Sequence, residues 1–228
     1  MTDYNKLYKY KFKMKTLFLL CSSIILKKPI LKKHKIDLQY GEQRIKQYQE
    51  GFKILKKNQV YKYFDKSILI DNTIGSRIFI PKNIQKVLDS NLEYYLFNDN
   101  DLGILNKGAG VLDSLGKVNH LIKQFEYIIY FEPRLLINDN FFFETIKANP
   151  RNLFNKVDDY PQVKSGYFSS NSQDLIEFIE SVDISRMIKE KHNLENLMFD
   201  FYIKKNSEFI SGCFTKRFDA TTKKFVDY

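Results

Sequence analysis

Four short polar stretches hold the residue types that can do chemistry: Asp71-Asn72-Thr73, Asn98-Asp99-Asn100-Asp101, Asn106-Lys107-Gly108 and Glu132-Pro133-Arg134. Carboxylates and amides in such turns can hydrogen-bond a nucleobase and ribose, each of which presents several donors and acceptors. Asn106-Lys107-Gly108 opens a helical pattern. The free N–H groups and positive dipole end of a helix start favour a phosphate, and Lys107 adds a full charge. Gly108 and Gly110 are expected to let backbone and ligand approach closely. Each stretch also has an ordinary reading, as turn cap or helix cap.

The elements around these stretches must position them. A first strand is predicted from Thr16 to Ile25, ending near Ser22-Ser23. A second is expected at Ser67 to Ile70, a third at Glu93 to Phe97 and a fourth at Tyr127 to Phe131. Continuous apolar runs of this kind suit strands covered on both faces. Helical spacing puts Ile45, Tyr48, Phe52 and Leu55 on one stripe over 42–57, and Ala109, Leu112, Leu115 and Ile122 on another from Asn106 onward. Pro81 to Ser90 and Phe141 to Ala148 predict two shorter helices. Strand, crossover helix, strand is the parallel unit of an α/β sheet, which binds ligands beyond the carboxyl ends of its strands. The polar stretches all fall at such ends.

The second half is less regular. Residues 27–41 and 151–162 read as irregular chain, Lys164 to Ser169 as a short strand, and the segment after Asn171 as a helix carrying Leu175, Phe178, Ile179 and Val182. A further helix is predicted at Leu194 to Lys205, and the tail from Phe209 as a closing strand or edge hairpin. The expectation is a single α/β domain over 16–228, with a mostly parallel Rossmann-like sheet flanked by helices, behind a basic extension over 1–15.

The net charge is +10, with much of the excess before residue 66 in KYKFKMK, LKKPILKKHK and ILKK. Such charge fits nucleic acid, an anionic membrane surface or plain solvated lysines. No helix-turn-helix cue, zinc spacing or aromatic RNA-binding strand accompanies it, so specific nucleic-acid binding is not expected. Cys21 and Cys213 are too far apart in sequence to suggest a metal cluster or disulfide framework, which favours a reducing cytoplasm. TLFLLCSSIIL has a basic lead, but Lys27-Lys28-Pro29 follows and no small-x-small cleavage site is visible. It reads as a buried strand rather than a signal peptide. His34, His120 and His192 have no metal spacing, and Ser22, Ser114 and Ser165 lie in no nucleophile elbow.

Ile68-Leu69-Ile70-Asp71-Asn72-Thr73, Leu105-Asn106-Lys107-Gly108-Ala109 and Ile128-Ile129-Tyr130-Phe131-Glu132-Pro133-Arg134, in that order, resemble small bacterial and viral glycosyltransferases of the GT-A type. The resemblance covers roughly residues 16–137. It implies a nucleotide-sugar donor and a glycan or lipid-linked acceptor, as in surface-polysaccharide synthesis. Nucleotide would be bound by Ser22, Ser23, Asp71, Asn72, Asn106, Lys107 and Gly108, with Glu132 and Arg134 at the diphosphate and donor sugar. Residues 16–137 would be the nucleotide-binding half and 138–228 the acceptor side.

The chain departs from that family at the metal. GT-A enzymes commonly hold a divalent cation on Asp-x-Asp after the fourth strand, where this chain has Glu132-Pro133-Arg134. A literal Asp99-x-Asp101 lies one strand early. A lone carboxylate is a poor site for manganese or magnesium, so metal-independent transfer, or a degenerate enzyme, is expected, with Arg134 neutralising the leaving group. Glu195 and Asp200 on the late helix are the candidate bases for the acceptor hydroxyl. A nucleotidyltransferase of similar sheet is the rival enzyme, though CSSIILKKP lacks the glycines its first loop needs. A basic nucleic-acid-binding protein is the non-enzymatic rival. The basic N-terminal part would touch an anionic membrane from the cytoplasm.

Overall fold

β1 (Thr16–Ser22) is buried along its whole length. Its side chains alternate between two cores, as the period of a strand requires. Phe18 and Leu20 enter one, and Leu17, Leu19 and Cys21 the other. An unbroken apolar run therefore forms the central strand because both of its faces are covered.

The protein is described from a computed structural model over residues 14–26, 38–212, 214–219 and 224–228. Most of the basic extension, the segment 27–37 with His34, and Cys213 lie outside the described residues. β2 (Lys66–Asp71) pairs with β1, and β3 (Glu93–Leu96) with β2. The chain then crosses to the other side of β1 for β4 (Tyr127–Phe131). All four run parallel. After the two-residue β5 (Leu136–Ile137) come β6 (Asn152–Lys156) and β7 (Val163–Asn171), and later β8 (Ser207–Ile210). The seven-stranded sheet has the order β3-β2-β1-β4-β7-β6-β8. Only β7 runs against the rest, since it is antiparallel to both β4 and β6 while β8 parallels β6. The expected single α/β domain with a mostly parallel, Rossmann-like sheet is what forms. A small second sheet joins β5 to β9 (Thr215–Asp219) and β10 (Lys224–Asp227).

Helices cover both faces. α1 (Leu38–Lys57) and α6 (Phe141–Ala148) pack Tyr48, Phe52, Leu55, Phe142, Phe143 and Ile146 against the Phe18 side, together with Ile84 of the short α2 (Lys82–Gln85). On the Leu19 side lie α3 (Asp101–Leu105), α4 (Lys107–Lys117), α5 (Asn119–Ile122), α7 (Ser172–Ser181), α8 (Ile184–Lys189) and α9 (Leu194–Tyr202). Among the described residues no helix is long and apolar enough to cross a membrane.

Several segments differ from the sequence expectation: the first strand ends at Ser22 rather than Ile25, and the helix expected over Pro81 to Ser90 is only Lys82–Gln85. Residues 38–41, read as irregular, already belong to α1. Within 151–162, residues 152–156 form β6, whose first four positions are buried. Its asparagines disguised it, and all of their side-chain polar atoms but Asn155 Oδ1 find partners. Asn152 donates to Asp174 at 2.8 Å and accepts from the Asn171 amide at 2.6 Å, while Asn155 donates to the Gly212 carbonyl at 2.8 Å. The polar turn before Asn106 is shorter than expected, because Asp101 already starts α3. The tail supplies both a sheet strand, β8, and a hairpin, β9–β10, that closes on β5.

Candidate functional site at the strand switch point

Because β2 and β3 lie on one side of β1 and β4 on the other, the crevice between the carboxyl ends of β1 and β4 is where ligands bind in open α/β sheets. Two carboxylates stand at this rim in contrasting surroundings. Asp71, at the tip of β2, is fully buried. Its carboxylate accepts from Ser22 Oγ at 2.6 Å, the Ile24 amide at 2.8 Å, the Thr73 amide at 2.7 Å and Thr73 Oγ1 at 2.6 Å. Burial raises its pKa above the ordinary carboxylate value, against the pull of these donors. Next to it, Asn72 accepts from Ser23 Oγ at 2.7 Å and donates to Asn100 Oδ1 at 3.1 Å and Ser114 Oγ at 3.2 Å. The side chains of Ser22, Ser23, Asp71 and Asn72, expected to meet a nucleotide, are thus bonded to one another and to α3 and α4. They tie the tips of β1 and β2 into one rigid wall.

Glu132, just past β4, is only partly buried and pairs with Arg134. Burial alone would raise its pKa, but Arg134, with Arg44 and Lys107 behind it, holds the carboxyl below the usual range. Those cations come from three elements. Arg44 reaches from α1, donating to the Ser23 carbonyl at 2.7 Å and to Tyr48 Oη at 3.3 Å. Tyr48 Oη in turn accepts from the Ser23 amide at 3.0 Å. α1 can sit this close to the turn because of Gly51. A Cβ there would stand 1.6 Å from the Pro133 carbonyl oxygen.

Lys107 is exposed and opens α4. Asn106 caps that helix through the Ala109 amide at 3.2 Å and donates to the His192 carbonyl at 2.9 Å, which ties the start of α4 to the approach of α9. The glycines serve packing rather than ligand access. A Cβ at Gly108 would stand 2.5 Å from Met187 Cε and 2.8 Å from Leu194 Cβ, and one at Gly110 would stand 2.6 Å from Gly103 Cα.

The two candidate bases part company. Glu195 accepts from Ser165 Oγ at 2.6 Å, and the neighbouring Gly166 carbonyl accepts from the Glu132 amide at 2.8 Å. Glu195 is therefore on the Glu132 rim. Asp200 is exposed on another side of α9, where it lines a separate cavity of about 360 Å³ with Phe178, Arg186, His192 and Lys204. Asp99 is held by Lys117 at 2.8 Å, in a triad with Asp113, and Asp101 is an exposed first-turn residue of α3. Among the described residues no group of three or more His, Cys, Asp or Glu side chains is placed to hold a metal ion. Glu132 offers a single carboxylate already paired with a guanidinium, a donor set that does not suit manganese or magnesium.

Sequence reasoning missed Arg44 and the Ser165–Glu195 contact. Arg44 did leave a signal, since it stands four residues before Tyr48 and so on the same helical stripe. Ser165 left none. What the rim can do chemically is hold a multiply charged anion between Lys107, Arg134 and the α4 start, with a carboxylate, Glu195, available for proton transfer. That defines the class as a Rossmann-like α/β protein with a cationic crevice at its switch point. The sequence matches no family model and no curated protein.

Proposed function

We propose that the protein is a GT-A-type glycosyltransferase that moves a sugar from a nucleotide-sugar donor to a glycan or lipid-linked acceptor without a metal ion. The observation that carries this reading is the Arg134–Glu132 pair at the switch point, beside Arg44 bonded to the Ser23 carbonyl at the tip of β1 and the start of α4 at Lys107. In this reading the donor diphosphate lies against the first amides of α4 and Lys107. Arg134 exchanges its Glu132 partner for the leaving oxygens, where a guanidinium pairs well with phosphate. Glu195 takes the proton of the acceptor hydroxyl, whose oxygen attacks the anomeric carbon as the bond to the diphosphate breaks. Ser165 now donates to the carboxylate oxygen such a hydroxyl would use. The reaction would take place in the cytoplasm, in glycan synthesis.

Thermal-shift measurements against UDP-, GDP- and CMP-sugars, each with and without manganese, test the reading, because a ligand of the folded state raises the melting temperature. One nucleotide class is expected to stabilise the protein equally with and without manganese. With that donor, Glu195→Gln is expected to slow transfer about 100-fold or more, within the range for a lost general base, and Asp200→Asn less than about twofold. No shift with any nucleotide at millimolar concentration would end the proposal.

A further inference from the structure

The loop that leaves β2 ends in a tight 3-10 turn over Arg77–Phe79, closed by Phe79 N–H to the Ser76 carbonyl at 3.0 Å and Ile80 N–H to the Arg77 carbonyl at 3.1 Å. Ile74 and Ile80 anchor it in the core, each 2% exposed, whereas Ile78 is 77% and Phe79 67% exposed. The Arg77 guanidinium lies 4.6 Å from the Tyr94 ring centroid and braces the turn from its flank. Single exposed apolar residues are commonplace. Here two adjacent ones are held out by a turn fixed from within. Along the turn itself cations prevail: between Thr73 and Leu88 the chain has Arg77, Lys82 and Lys86 and no carboxylate, and the first beyond it, Asp89, acts with Arg77 on Tyr94. All three cations are exposed.

We propose that this turn is a peripheral membrane anchor, with Ile78 and Phe79 entering the interfacial layer of an anionic bilayer and Arg77, Lys82 and Lys86 binding its headgroups. Two apolar side chains fall far short of the roughly 800 Å² per partner that a stable protein interface buries, which argues against a protein occupant. A bilayer needs no complementary patch, and a short apolar wedge joined to cations is the pair of signals that interfacial binding uses. Each cation near an anionic surface contributes about a fivefold gain in partitioning. The anchor differs from the basic N-terminal part in that its attachment depends on Ile78 and Phe79. It is also independent of catalysis, because it is read without nucleotide.

The test is sedimentation with vesicles of phosphatidylcholine alone or with one-third phosphatidylglycerol. The protein is expected to bind the anionic vesicles, and Ile78→Ser with Phe79→Ser to bind about tenfold or more weakly at an unchanged melting temperature. The chain has no tryptophan, so Phe79→Trp installs a lone indole. Its emission is expected to shift to the blue with anionic vesicles and to be quenched by brominated lipid. An unmoved emission, undiminished binding by the double variant, or no vesicle binding together with self-association through this turn would each overturn the proposal.

Discussion

Asp71 and Glu132 stand at the ends of β2 and β4, on either side of β1, and the protein treats them in opposite ways. Asp71 is sealed, accepts four hydrogen bonds from its own chain and has its pKa raised by burial. Glu132 is partly open, meets cations from α1, α4 and its own turn, and has its pKa lowered. One carboxylate is consumed in joining β1 to β2; the other stays partly exposed beside Arg134. Carboxylates at strand tips are therefore not interchangeable evidence for a site. What separates them is whether their partners are neutral donors fixed in the fold or cations that can be shared with a ligand.

The largest test of this contrast is Asp71→Ala, which would leave the buried Ile24 and Thr73 donors unpaired, while Ser22 Oγ keeps the Ile70 carbonyl at 3.1 Å. About 2 to 4 kcal/mol of stability should be lost in urea unfolding, as for buried donors left without an acceptor. A loss below about 1 kcal/mol would erase the distinction. Gly51→Ala, which forces a Cβ onto the Pro133 carbonyl, should cost about 2 to 3 kcal/mol. Its control, Gly116→Ala at an exposed α4 position with nothing nearer than 3.9 Å, should be neutral or stabilising by up to about 1 kcal/mol.

A smaller effect is expected at Glu132, and its sign follows from linkage. Its folded pKa lies below the ordinary value of 4.5. Its contribution is therefore present above that value and is lost as pH falls through the folded pKa. Glu132→Gln should flatten the acid decline of stability below pH 4.5, read from unfolding curves at stepped pH. An acid limb identical to the parent's would remove the ion pair from the account. The smallest stability effect is Lys107→Ala, within about 0.5 kcal/mol, as for most surface changes. The same change should weaken any nucleotide-diphosphate response about tenfold if the exposed cation meets phosphate. An unchanged response would take Lys107 out of the site.

Much of this was legible in the chain. β1, β2 and β4 announced themselves as apolar runs, and the α1 and α4 stripes by their spacing, whereas β3, expected to be buried, lies at the sheet edge and is at most partly buried. β6 was hidden because Asn152 and Asn155 look like turn residues until Asp174, Asn171 and Gly212 are brought to them. Glu195 and Asp200 were both candidate bases on one helix, with Glu195 preferred because it opens that helix. Five residues apart they differ by about 140° around its axis, so only one of them can face β7.

The sequence by itself determined the parallel first half and most of the helices, because hydrophobic periodicity and turn chemistry are local properties of the chain. Only the tertiary structure decided which polar groups are consumed as scaffold and which remain to meet a ligand. That depends on burial and on partners such as Arg44, Ser165 and Gly166, which come from distant parts of the chain and meet only when the sheet has closed around β1.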